Sequence, residues 1–365
     1  MGFMIVLVAL VMVFKSYVDY LNYVFLRRNE SLRVVFRNGL LRLLVLITSF
    51  WVFVNEVWLS SLQQLILPLS IVFVGTVLIH LSTKRWNIKT LPIHVMQATI
   101  TFFKEAFSML IVVLVIYGVF ESRLFSSLWE ILLFSFTALI LIYLMFYKLL
   151  LPKIFRFIPY KVREEPTKMF EVYPNLNETL YMAQSKKIRL PMNALFMAGV
   201  KRLKVVLSDA LLARLTSSEI KGIVAHELGH GAKKHLWIRA VVMVLVIGVY
   251  LLMGYTVFQT NLVDRLFTEA TLWHQLFVLI LINYAVENIV LVALYQLTQF
   301  QEFQSDRYAQ SLGYGEVLAN ALEKIHRYQP DPKEHPFSKR VGLSHPDTLL
   351  RVRLLRKSSV TINDL

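Results

Sequence analysis

The fold class predicted by this sequence is an all-α membrane protein of about seven transmembrane helices, with one small α+β segment at its cytosolic face. Three observations predict it. Hydrophobic residues make up 56% of the 365 and charged residues 17%, the balance of a polytopic membrane protein rather than of a globular one. Apolar runs near the roughly 20 residues that a bilayer-crossing helix needs recur along the chain. Between the fifth and the sixth of these runs, from Pro152 to Leu236, the composition turns polar. The net charge of +15 fits a membrane protein with Lys and Arg gathered on the cytosolic side, and no nucleic-acid partner is expected. The absence of cysteine excludes disulfides, thiolate metal ligands and a cysteine nucleophile. The first apolar run lacks a basic start and a small-residue cleavage site, so no cleavable signal is expected.

The elements follow in order. Residues 1–150 make a five-span region. Its first span, 3–26, carries Lys15 and Asp19 four residues apart, a pair that neutralises itself on one helix face. The basic segment Arg27–Arg42 follows. Spans at about 42–58 and 64–82 are joined by a turn without Lys or Arg, and the basic loop Lys84–Lys89 precedes spans at about 98–120 and 127–150. Lys and Arg are dense after the first, third and fifth spans and sparse after the second and fourth. The positive-inside rule therefore puts the N-terminus outside and the segment after residue 150 in the cytosol.

Residues 151–236 form the soluble segment. Leu176–Lys186 reads as an amphipathic helix, and Asn193–Gly199 and Leu203–Leu207 read as two short strands around a basic turn. Ser208-Asp209 opens a helical run, and Thr216-Ser217-Ser218-Glu219 has the pattern of a capping box before the next helix. That helix is read as running straight into the sixth span, about 237–258. The seventh, about 272–298, carries Asn283, Glu287 and Asn288 at membrane depth. With Lys15, Asp19, Lys104 and Glu105 they are either pairs between packed helices or the lining of a polar chamber. The seventh helix continues into Gln299–Leu312, and a polar cytosolic tail completes residues 299–365.

The chemistry lies in Ala225-His226-Glu227-Leu228-Gly229-His230. On a helix the two histidines stand about 40° apart, so both rings reach one metal ion, and Glu227, about 100° from His226, is placed to take the proton of an attacking water. A catalytic zinc site needs a third protein ligand and an open position. Glu302, 76 residues beyond His226 at the emergence of the seventh helix, is the best candidate. Asp306, one turn further on, lies on the same face and is suited to accept the outer N–H of a ligating histidine. His235 is nine residues from His226, about 180° round an uninterrupted helix, and is read as a non-ligand. His80, His94, His274 and His326 are read as solvated or otherwise satisfied.

These residues resemble the integral-membrane zinc metalloproteases of the CAAX prenyl protease 1 (Ste24) family. The resemblance takes in Phe14–Tyr17, Lys84–Thr90, Leu151–Lys153, Asn193–Phe196, Lys204–Asp209, Val224–His230, Phe300–Asp306 and Ser344–Pro346 with Arg351. It implies one zinc ion per chain on His226, His230 and Glu302, with Glu227 as general base and Asp306 orienting a zinc histidine. It also implies that His345 stabilises the oxyanion with Arg351 in support, and that Asn193, Ala194, Leu195 and Phe196 form an edge strand to which a peptide adds. The implied activity is that of a zinc metalloendopeptidase in a bacterial inner or plasma membrane, or in the ER membrane, with its site facing the cytosol. Its partners would be the lipid bilayer and a peptide or protein substrate, prenylated CAAX proteins among them.

The chain departs from that family in being shorter than its eukaryotic members. It also carries Gly231 where they tend to have tryptophan, which puts a prenylated CAAX substrate in doubt and leaves open an HtpX-like quality-control protease. An intramembrane site-2-type metalloprotease would need an Asp-Gly ligand motif in a later span, and the seventh has none. A non-catalytic scaffold or transporter differs in predicting no bound zinc.

Overall fold

In the computed structural model the described residues are 155–363 apart from 185–189, 199–202, 267–269 and 333–334; before 155 they are isolated positions such as Tyr17 and Glu130. The five spans expected within residues 1–150 therefore lie outside the described residues, as does the basic turn expected at 200–202. The chain divides into two compact units, one of residues 1–132, 246–291 and 333–338, the other of 133–245, 292–332 and 339–365.

The second unit is built on a four-stranded sheet. Its strands are β1 (Arg156–Pro159), β2 (Leu180–Gln184), β3 (Ala194–Ala198) and β4 (Leu203–Ser208), in the order β1-β2-β4-β3. The β2–β4 pair is parallel and the other two pairs are antiparallel. Side chains alternate along the inner strand β4. Val205 and Leu207 join the main core, whereas Val206 packs with Ala183 and Met197 on the other face. β3 lies at the end of the sheet, with Ala194–Ala198 paired to Leu207–Leu203 of β4.

One expectation is corrected in this region. The helix expected at Leu176–Lys186 is a 3₁₀ turn, Leu176–Glu178, followed by β2. Leu176, Leu180 and Ala183 have helical spacing, but pairing with β1 on one side and β4 on the other decides for strand. β1 itself is a strand with no counterpart in the sequence reading.

Six helices of this part of the chain follow: α1 (Lys168–Val172), α2 (Asp209–Leu212), α3 (Ser217–Ala232), α6 (Gly315–Tyr328), α7 (Pro336–Gly342) and α8 (Thr348–Asn363), with α4 (His235–Gln259) and α5 (Leu272–Ser311) between α3 and α6. Ser208 caps α2 by accepting the Leu211 N–H. Thr216 caps α3: its hydroxyl accepts the Glu219 N–H while the Glu219 carboxylate accepts the Thr216 N–H, the expected capping box. From Ile220 to Gly229 every residue of α3 is buried, as in a helix enclosed on all sides. It packs against β3, β4 and α6. Gly229 permits one close approach: a Cβ there would stand 2.8 Å from the Ser305 Cα on α5.

α3 does not run into the sixth span. It ends at Ala232, Lys233 caps it, and Lys234 turns the chain through φ +56° before α4 begins at His235. Gly231 and the two lysines are the small residue and cations that favour a helix end. Among the described residues α4 is the one helix long and apolar enough to cross a membrane by length and composition. Trp237, Val241, Leu245 and Leu252 along it are more than half exposed. α5 is a single helix of 40 residues through the expected seventh span and beyond, as the sequence reading held. In the first unit Leu251, Met253 and Val257 of α4 pack with Val263 and with Val278 and Leu279 of α5.

Candidate active site

The capped, buried α3 presents His226 and His230 one turn apart, with ring centroids 5.0 Å from each other and Nε2 atoms 3.3 Å apart. α5 supplies Glu302, whose Oε2 lies 3.4 Å from His226 Nε2 and whose Oε1 lies 3.4 Å from His230 Nε2. His226, His230 and Glu302 thus form a group whose ligand atoms all lie within 4.8 Å of one another. Ligand bonds of 2.0–2.1 Å in a tetrahedral site place neighbouring donor atoms about 3.3 Å apart, so this donor set fits a zinc-sized cation.

The outer nitrogens of both rings are also engaged. His226 donates from Nδ1 to Asp306 Oδ1 at 2.8 Å, which leaves Nε2 free to face the cation site. Asp306 is held in turn by Arg351 of α8, through Nε to Oδ2 at 2.8 Å and Nη2 to Oδ1 at 2.7 Å. Arg351 Nη1 reaches Glu302 Oε2 at 3.1 Å. The guanidinium thus sits behind the donor set and fastens α8 to α5 by two carboxylates. Its Nη2 also lies 3.4 Å from His226 Nδ1, but both are donors and converge on the same Asp306 oxygen.

His235 was read from sequence as lying on the far face. The break at Lys234 instead brings its Nδ1 to 2.9 Å from His230 Nδ1, and its Nε2 lies 2.9 Å from Gln304 Oε1. It remains outside the donor group, and it is almost wholly buried. The small and basic Gly231-Ala232-Lys233-Lys234 run is the signal that would have placed the helix end, and with it His235, correctly.

The electrostatics are those of a buried charge cluster. Burial alone lowers the His226 pKa, but the hydrogen bonds to Asp306 and Glu302 reverse this and bring it to about 9. Burial would raise both carboxylates. Arg351 and His226 instead take Asp306 down to about 2, and the hydrogen bonds to His226, His230 and His345 hold Glu302 well below its ordinary value. Burial pushes Glu227 the other way, above the ordinary carboxylate range.

An open cleft of about 410 Å³ joins these groups. Glu227, the three donor residues, His345 and Arg351 line it, together with Asn193, Ala194, Leu195 and Phe196 at the end of the sheet. His345 is largely exposed, with Nδ1 3.4 Å from Glu302 Oε1. Its loop is strapped down: Gln299 donates to the carbonyls of Arg340 and Leu343, Lys339 pairs with Asp347, and Asp331 accepts from the Thr348 N–H and hydroxyl. At Gly231, the departure noted in the sequence, a Cβ would meet the tip of the Phe196 ring at 2.5 Å. The missing side chain gives that ring its place over the end of α3. His326 stands apart from the site, with Nδ1 3.6 Å from Asp331.

Comparison with known proteins agrees with this geometry. Peptidase family M48 matches over residues 173–359. A probable CAAX prenyl protease 1 of Schizosaccharomyces pombe is 25% identical over 192 residues, 51% of this chain and 40% of the relative, so the chain matches less than half the length of that protein. The crystal structure of S. mikatae Ste24p superposes over 97% of this chain and 99% of its own with a TM-score of 0.58, at 16% identity, a likeness of fold. The family match spans α3 with its two histidines, α5 with Glu302 and α8 with Arg351, and the chain is a member of peptidase family M48.

Proposed function

We propose that this chain is a membrane-embedded zinc endopeptidase with its site on the cytosolic side, cleaving membrane-associated or misfolded proteins. The observation that carries the reading is the meeting, in one cleft, of the His226–His230–Glu302 donor set, the buried Glu227 and the terminal strand β3.

His226, His230 and Glu302 would hold the zinc ion, which when bound would supply Lewis-acid polarisation of the scissile carbonyl and lower the pKa of water. The chain's own groups do the rest. The outer edge of β3 takes an extended peptide as a further strand, so that Asn193–Phe196 offer main-chain hydrogen bonds beside the donor set. Glu227 removes the proton of the attacking water and passes it to the leaving amine. Its burial raises its basicity toward the working pH. His345 donates a hydrogen bond to the oxygen of the tetrahedral intermediate. Arg351 acts from behind, fixing Glu302 and Asp306.

Cleavage of a CAAX-type prenylated substrate is the finer alternative. The departures from the family, Gly231 in place of tryptophan and the shorter chain, favour instead an HtpX-like activity on other membrane proteins. Glu227→Gln should retain stoichiometric zinc while peptide cleavage falls by at least about 10²–10⁴-fold. Metal content and turnover of an unfolded protein substrate, measured on one preparation in detergent, test this. Retained turnover refutes the mechanism, and absence of zinc in both forms supports a non-catalytic scaffold.

A further inference from the structure

We infer that His235 is the positioning residue of the second donor histidine, fixing through Gln304 which nitrogen of His230 carries the proton. The inference rests on the reading of His226, His230 and Glu302 as a metal site. His230 turns Nε2 toward His226 and Glu302, and Nδ1 toward His235 Nδ1 at 2.9 Å. Two imidazole nitrogens bond only when one holds a proton and the other a lone pair. His235 Nε2 lies 2.9 Å from the Gln304 side-chain oxygen, which only accepts. His235 therefore carries its proton on Nε2, its Nδ1 is bare, and His230 donates from Nδ1. This order leaves a lone pair on His230 Nε2, as a cation requires. The opposite order protonates His230 Nε2 and closes that position.

The two donor histidines are thus held differently. His226 is backed by the Asp306 carboxylate, itself clamped by Arg351. His230 is backed by a neutral imidazole and an amide. The fold makes this possible at the break between α3 and α4. On an uninterrupted helix His235 would stand about 140° from His230. The left-handed Lys234 turns it back, and its contacts to His230 and Gln304 hold the buried ring there.

The test uses the full chain purified in detergent, with zinc affinity read by competition against a chromophoric chelator and site geometry by the visible spectrum of the cobalt(II) form. His235→Leu and Gln304→Leu should each weaken zinc binding by about 10–100-fold and alter the cobalt spectrum. His235→Asn, whose side-chain oxygen stands near the place of Nδ1, should recover most of the loss. Gln304 touches none of the donor atoms and is only half-buried, so Gln304→Leu decides the matter even where His235→Leu fails to fold. Parent-like zinc affinity in Gln304→Leu, or His235→Asn binding as weakly as His235→Leu, overturns the role of His235 and leaves the peptidase reading standing. A parent chain that binds no zinc overturns both.

Discussion

Asp306 shows how much one side chain decides in this site. Its two oxygens receive one N–H of His226 and two of Arg351, so a single carboxylate orients a donor histidine and neutralises a buried cation. Asp306→Asn keeps the shape but removes the charge and places a donor against donors. Zinc affinity is expected to fall by about 10–100-fold. Arg351 keeps Glu302 as a partner, so the stability loss belongs at the lower end of the range for a broken buried pair, about 3 kcal/mol. Chelator competition and thermal unfolding read the two effects separately, and an unchanged affinity removes Asp306 from the site's support. The aspartate was legible in the sequence because it lies one turn beyond Glu302 on the same helix. His235 was not, because its place depends on a backbone turn at a lysine.

At the scale of elements, the site is the crossing of α3 and α5. Gly229 lets them close: an alanine Cβ would press on the Ser305 backbone, one turn beyond Glu302. Gly229→Ala should therefore push α5 away from the two histidines, costing about 1–3 kcal/mol and most of the zinc affinity. Gly342→Ala, where a Cβ meets nothing within 4 Å, is the matched control and should change neither. The start of α3 sets its acid stability. Burial would raise the Glu219 pKa, but its bonds to Thr216 and to Lys324 hold it below the ordinary value. A depressed carboxylate binds fewer protons folded than unfolded, so its contribution is complete above about pH 4.5 and fades as the pH falls through the folded pKa. Glu219→Gln should lower stability at pH 7 and flatten the loss below pH 5. A parallel acid limb in parent and variant contradicts this.

For the whole molecule the testable claim is orientation. The chain has no cysteine, so single introduced cysteines report their side of the membrane without background. On the proposed topology, with the N-terminus outside and residues 151–236 in the cytosol, a membrane-impermeant maleimide should label Ser60→Cys in intact cells. It should reach Asn87→Cys and Ser217→Cys only after permeabilisation. The reverse pattern places the proposed site outside the cytosol.

By itself the sequence determined the candidate donor set, the candidate base and the start of α3. Those signals are local: His226 and His230 share a helix face, Glu302 and Asp306 share another, and Thr216 with Glu219 caps within one turn. It also determined that β3 and β4 are strands, since their apolar runs are short and bounded. Only the tertiary structure decided that 180–184 is a strand, because its partners, Arg156–Pro159 on one side and Val205–Ser208 on the other, are remote in sequence. Only the tertiary structure brought Arg351 behind two carboxylates and the His345 loop to the cleft. The same holds for His235, whose neighbour His230 was in view from the start but whose direction a periodicity cannot give once one residue leaves the helical region.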